Sequence, residues 1–181
     1  MKNWIFISML IALNFGNLDA QIFKTIKGEA YFKSDAPLEL IEAKSKKLKG
    51  VINSEKRTFA FSIPIQSFKG FNSALQRIHF NENYLESDAF SNATFTGKII
   101  EKIDFSKDGV YNVRAKGKLK IHNIEQERII KSKLEIKNGK VLVSTNFTIL
   151  LEEHDIRVPK VVYQKIAQEI FVSVEAEFKN E

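Results

Sequence analysis

Apolar and polar residues alternate with a period of two along most of the chain beyond residue 20. Ile26, Gly28, Ala30 and Phe32 share one face of a first run. From residue 58 to 65, Phe59, Phe61, Ile63 and Ile65 point one way, and Thr58, Ala60 and Ser62 the other. Phe95, Gly97 and Ile99 repeat the habit. Tyr111, Val113, Ala115, Gly117, Leu119 and Ile121 oppose Asn112, Arg114, Lys116, Lys118 and Lys120. Near the end, Ile170, Val172, Val174, Ala176 and Phe178 oppose Glu169, Ser173, Glu175 and Glu177. Successive side chains of a strand face opposite ways, so this pattern predicts sheet with one dry and one wet face.

Turn residues divide the runs. Asp108-Gly109 is expected to join a strand ending near Phe105 to one starting at Val110. Asn138-Gly139 is expected to join residues 130–136 to residues 141–151. Both pairs favour the positive φ of tight primed turns. Pro37, Pro64 and Pro159 fall near the ends of runs, where a missing N–H does least damage. The count is roughly eight strands in consecutive antiparallel order. A sheet of that size tends to curl, and closure removes its edges, so the fold expected is an all-β barrel. One stretch breaks the alternation. Over residues 73–87, Phe71, Leu75, Ile78 and Leu85 fit a helical stripe with Asn72 as N-cap, which predicts one helix across or beside the barrel mouth. A shorter helical turn is expected over residues 162–168.

The first twenty residues change the picture of where the chain acts. Lys2 precedes a mostly apolar stretch from Trp4 to Phe15, and Leu18-Asp19-Ala20 offers a cut before Gln21. The apolar core is about a dozen residues, short of the ~20 that span a bilayer. A cleaved signal over 1–20 and a single domain over 21–181 are therefore expected, with a periplasmic or secreted product. The chain has no cysteine, so it has no disulfide and no N-terminal lipid anchor on a cysteine. The net charge is +6, and loss of Lys2 with Asp19 leaves it unchanged. Such a charge suits solubility and contact with anionic head groups or a membrane surface. Lys44, Lys46, Lys47 and Lys49 form its densest run, read as a solvated turn. No zinc-finger spacing, helix-turn-helix pattern or basic helix points to nucleic acid.

Candidate chemistry is sparse. His79, His122 and His154 have no mutual ligand spacing, and none lies in an H-E-x-x-H arrangement. There is no G-x-S-x-G elbow and no glycine-rich phosphate loop. Glu152, Glu153 and Asp155, with Arg157 beside them, read as a solvated loop. No catalytic residue, metal ligand or cofactor is assigned. Aromatic content is the outlier, with fifteen phenylalanines, among them Phe59, Phe61, Phe68, Phe71, Phe80, Phe90 and Phe95. An eight-strand barrel is just wide enough for one apolar ligand, and composition is compatible with either a filled barrel or a hollow one.

The order of segments resembles a known family. From Phe68 the chain reads FKGFNSALQRIHFNENYLES, and from Phe90 FSNATFTGKI. This is similar to the hallmark segment of the YceI-like family of periplasmic polyisoprenoid-binding proteins. LKGVI from Leu48, LKIH from Leu119 and IRVP from Ile156 agree with it in order. Two departures stand out: Asn123 replaces a glycine after the histidine, and the first strand, AYFKS from Ala30, lacks a histidine common there. The resemblance implies a lipocalin-like barrel whose apolar tunnel holds an isoprenoid, quinone or similar long-chain lipid. The lining residues expected are Phe59, Phe61, Ile63, Phe71, Leu75, Ile78, Phe95, Val113, Leu119 and Phe147. Head-group contacts are expected at His79 and Tyr84.

The resulting reading is a lipid-binding, non-enzymatic protein, monomeric or a homodimer. Two rivals remain open: a solidly packed structural or stress-response barrel, and a small metal-dependent enzyme using His79, His122 or His154.

Overall fold

The computed structural model describes residues 21–180, so the expected signal over 1–20 lies outside the described residues. Nine strands follow one another: β1 (Ile22–Asp35), β2 (Leu40–Ser45), β3 (Lys49–Asn53), β4 (Thr58–Pro64), β5 (Asn92–Ile99), β6 (Gly109–Ile121), β7 (Ile124–Lys137), β8 (Lys140–Leu150) and β9 (Glu169–Asn180). All neighbours are antiparallel. The one α-helix among the described residues, α1 (Ala74–His79), lies in the connection from β4 to β5.

β1 closes the ring. One of its edges pairs with β9 over residues 23–33. The other pairs with β3 at residues 22–24 and with β2 at residues 30–35. β1 and β3 to β9 therefore form a closed eight-stranded barrel, and β2 is an extra strand that extends the wall where β3 ends. The outer edge of β2 is covered in turn, because Lys44 and Lys69 exchange backbone hydrogen bonds of 2.7 and 2.9 Å. The lysine run from Lys44 is the crossover from β2 to β3. Lys44 pairs with Glu29 at 2.5 Å, and Ser45 and Leu48 are buried beneath the exposed lysines.

The expected strands are present with adjusted ends. Asn138 and Gly139 both have positive φ, as a tight primed hairpin turn requires. The His122-Asn123 turn between β6 and β7 has the same geometry, with φ of 48° and 62°. Asp108-Gly109 is not such a turn. β5 ends at Ile99, and residues 100–108 form a loop pinned by Asp104, whose carboxylate accepts from the Ser106 N–H and hydroxyl. Ile26 does not face inward. A register shift between Thr25 and Lys27 turns it out to solvent. β7 starts at Ile124, earlier than its apolar alternation suggests, because Gln126 and Arg128 occupy inward-parity positions.

The helix is shorter than the stripe implied. Ser73, not Asn72, is the N-cap, its hydroxyl accepting from the Gln76 N–H at 3.1 Å. After His79 the chain widens into a π-helical turn, Phe80–Tyr84. The turn expected over residues 162–168 begins earlier, at Lys160–Val162, as a 3₁₀ turn. Residues 151–154 form another 3₁₀ turn that buries Leu151 and His154, while Glu152 and Asp155 stay exposed to solvent and Asp155 pairs with Arg157 at 3.2 Å.

Candidate ligand-binding cavity

The barrel is packed at one end and hollow towards the other. At the packed end Phe23 packs tilted against Phe105 of the 100–108 loop at 5.6 Å, and Phe61 meets Phe178 edge-on at 5.6 Å. Phe23, Ile136, Val141 and Phe178 are buried here and form a floor. Above it lies a cavity of about 530 Å³. Phe59, Phe95 and Ile99 line it on one wall, Val113, Ala115 and Leu119 on the next, and Val143, Phe147, Val172 and Val174 opposite. The volume falls within the range of small-molecule sites, ~300–1,000 Å³.

Every irregular connection of any length except the 100–108 loop lies at the hollow end. There α1, the β1–β2 turn (residues 36–39) and the 160–166 segment surround the mouth. α1 is held by rings beneath it: Phe80 stacks on Phe32 at 5.4 Å, and Phe71 lies 5.0 Å from Phe80. The polar groups of this rim mostly satisfy one another. Glu39 accepts from the Gln76 amide at 2.9 Å, and the Gln76 carbonyl oxygen accepts from the Asn72 N–H at 3.0 Å. The side chains of His79 and Lys165 also line the mouth and have no hydrogen-bond or ion-pair partner among the described residues. Tyr84 lies deeper, and burial raises its hydroxyl above the ordinary tyrosine pKa.

Of the residues expected to line a tunnel, Phe59, Phe61, Ile63, Phe71, Leu75, Phe95, Val113, Leu119 and Phe147 all face the cavity, as do His79 and Tyr84. Ile78 does not. It is 46 % exposed and lies outside the lining. The helix presents Leu75, Gln76, His79 and Phe80 to the cavity, and at about 100° per residue Ile78 falls well round from that face. Lining residues absent from the expectation include Phe32, Phe68, Phe80 and Ile41. Parity in the first strand already put Phe32 inward. The π-helical turn that aims Phe80 left no periodic signal.

The other histidines sit apart from the cavity lining, beside the β6–β7 turn. His122 donates from Nδ1 to the His154 carbonyl at 3.1 Å and meets Glu86 through Nε2 at 2.8 Å. His154 is buried, its Nδ1 donating to the Ile124 carbonyl at 3.2 Å, while its Nε2 has no partner. Burial lowers its pKa below the ordinary histidine value. Among the described residues, no three His, Asp or Glu side chains converge as a metal site would need.

The sequence model of the YceI-like domain matches residues 20–178. The chain belongs to the YceI-like family. Solved structures share this YceI-like fold at low identity. A polyisoprenoid binding domain from Saccharophagus degradans, implicated in plant cell wall breakdown, superposes with a TM-score of 0.72 at 12 % identity, covering 88 % of this chain and 98 % of its own. BcnA of Burkholderia cenocepacia gives 0.67 at 14 %, covering 83 % and 95 %. The YceI protein of Campylobacter jejuni gives 0.56 at 17 %, covering 100 % and 99 %. No curated protein sequence matches the chain. For a YceI-like protein the closed eight-stranded barrel with an extra strand and one short helix is the family architecture.

Proposed function

We propose that this protein is an exported carrier of a long-chain lipid of isoprenoid type, a polyprenyl or quinone lipid, held tail-first in the barrel. The observation that carries the reading is the apolar cavity above a packed floor, which a solidly filled structural barrel would not contain. Each buried CH₂ of a ligand contributes ~0.8 kcal/mol, so a long tail is held without specific polar contacts. The polyisoprenoid-binding function of the Saccharophagus domain supports the ligand class. Lys165 and His79 at the mouth offer donors to a head group. A binding protein rather than an enzyme fits this arrangement, since the walls carry hydrocarbon and the histidines do not share a pocket. Export rests on the leader-like residues 1–20 and calls for a shorter mature chain beginning near Gln21.

Native mass spectrometry of protein purified from its source tests both parts. The expected result is a mature mass lacking the leader, plus an adduct that organic extraction identifies as a long-chain lipid. An apo mass that stays unchanged after incubation with polyprenyl and quinone lipids would overturn the carrier reading in favour of a structural barrel.

A further inference from the structure

The rim of the mouth gathers apolar side chains that no other described residue covers. The four most exposed large hydrophobic residues among the described ones are Val161 (89 %), Leu38 (66 %), Leu75 (60 %) and Tyr163 (59 %). They come from the three segments that surround the opening, and hydrogen bonds hold those segments together. The Leu38 N–H donates to the Gln164 carbonyl at 2.9 Å, and Gln76 of α1 bonds Glu39 beside Leu38. Leu40 and Ile78 add two half-exposed neighbours from the same segments. Scattered exposed apolar residues are ordinary on a soluble surface, but a cluster at the lip of an apolar cavity marks an interaction site.

Charge decides what meets it. Arg77, Lys160 and Lys165 stand among these residues. Of the nearby anions, Asp35 is paired with Lys33 at 3.0 Å, and Glu39, which the neutral Gln76 amide bonds without cancelling its charge, is outnumbered by these three cations. A second copy docked rim to rim would press like charges together. An anionic lipid surface would neutralise them while its acyl layer accepts the protruding apolar side chains.

We propose that this rim docks on an anionic phospholipid bilayer, with Leu38, Leu75, Val161 and Tyr163 inserted below the head groups and Arg77, Lys160 and Lys165 at phosphate level. Docking follows from the rim alone. That the cavity fills and empties through the docked mouth, without exposing an apolar tail to water, rests on the carrier reading above.

Vesicle co-sedimentation of the purified protein tests this. Vesicles of phosphatidylglycerol and phosphatidylethanolamine should bind it, and phosphatidylcholine vesicles or high salt should weaken binding. Lys160→Glu should weaken binding to the anionic vesicles about tenfold or more. The pair Leu38→Ser and Val161→Ser should do the same. Ile129→Ser, which removes a side chain of similar exposure (58 %) on β7, should leave it unchanged. None of these residues lines the cavity, so lipid retention in native mass spectra should survive in every variant. If the double variant fails to fold, the charge reversal still decides. Equal binding by the rim variants, no binding by the parent protein, or self-association that the rim variants abolish would each overturn docking. Vesicle binding without any retained lipid would uphold docking and overturn the carrier reading.

Discussion

Gly97 and Gly117 face each other across β5 and β6, both at inward parity. A Cβ on Gly97 would lie 2.1 Å from the Lys116 carbonyl oxygen, and one on Gly117 2.3 Å from that of Thr96. The obstacle is backbone, which a rotamer change does not relieve. Gly97→Ala is therefore expected to destabilise the barrel by at least about 2 kcal/mol, read as a lower urea midpoint. His154 is the second residue with a measurable signature. Burial holds its folded pKa below the ordinary value, so the unfolded chain takes up the proton first. The stabilisation of the neutral form is full above the unfolded value, near 6.5, and is lost as pH falls from there through the folded value. Thermal midpoints from pH 8 to 5 should decline in the parent protein and decline less in His154→Leu. At this scale inward parity was legible from the chain, and Phe59, Ile63, Phe95 and Val113 all face the cavity. Ile78 was misread because apolarity was taken to mark the cavity side of the helix, whereas that side carries Gln76 and His79 around an open mouth.

Among the elements, the join between β7 and β8 differs from the rest of the wall. The two strands pair only between residues 132–137 and 140–145, while β7 keeps pairing with β6 back to Ile124 and β8 with β9 on to Leu150. Side chains stitch the parted stretch. Arg128 donates to the Thr148 carbonyl at 2.5 Å and pairs with Glu153 at 2.7 Å, and Gln126 donates to the Glu153 carbonyl at 2.6 Å. Arg128→Ala should free both partners. Amide exchange should quicken selectively over residues 124–131 and 146–150, with little change in β3 to β5. The alternation on β7 lapses at Gln126 and Arg128, and this lapse is the one sequence trace of the seam. The short helix left a weaker trace, because a π-helical turn has no repeat to recognise and its fold rests on Phe32, Phe71 and Phe80 packing together.

At the scale of the whole molecule, closure follows from β1 pairing with β9 on one edge and with β3, then β2, on the other. No local pattern announces that arrangement, although hairpin order and strand number already favoured a barrel. Hollowness was illegible for a different reason. The same phenylalanines could fill a barrel or surround a void, and only their placement in three dimensions separates the two. Ala115 gives a direct test, because its small side chain borders the cavity. Ala115→Phe should occupy the void and abolish lipid retention in native mass spectra, while the thermal midpoint holds within a few degrees. A fall in stability with retained lipid would mean that the void is not where the ligand lies.

The packed floor has a consequence for what the barrel can tell apart. A tube stopped at one end by Phe23, Phe105 and Phe178 works as a depth gauge. A chain that reaches the stop can sink no further, and every added isoprene unit beyond that depth must stand outside in water or in the bilayer. Affinity across a homologous series should then climb unit by unit and level off at one length. Shaving the stop with Phe105→Ala should move that plateau towards longer chains.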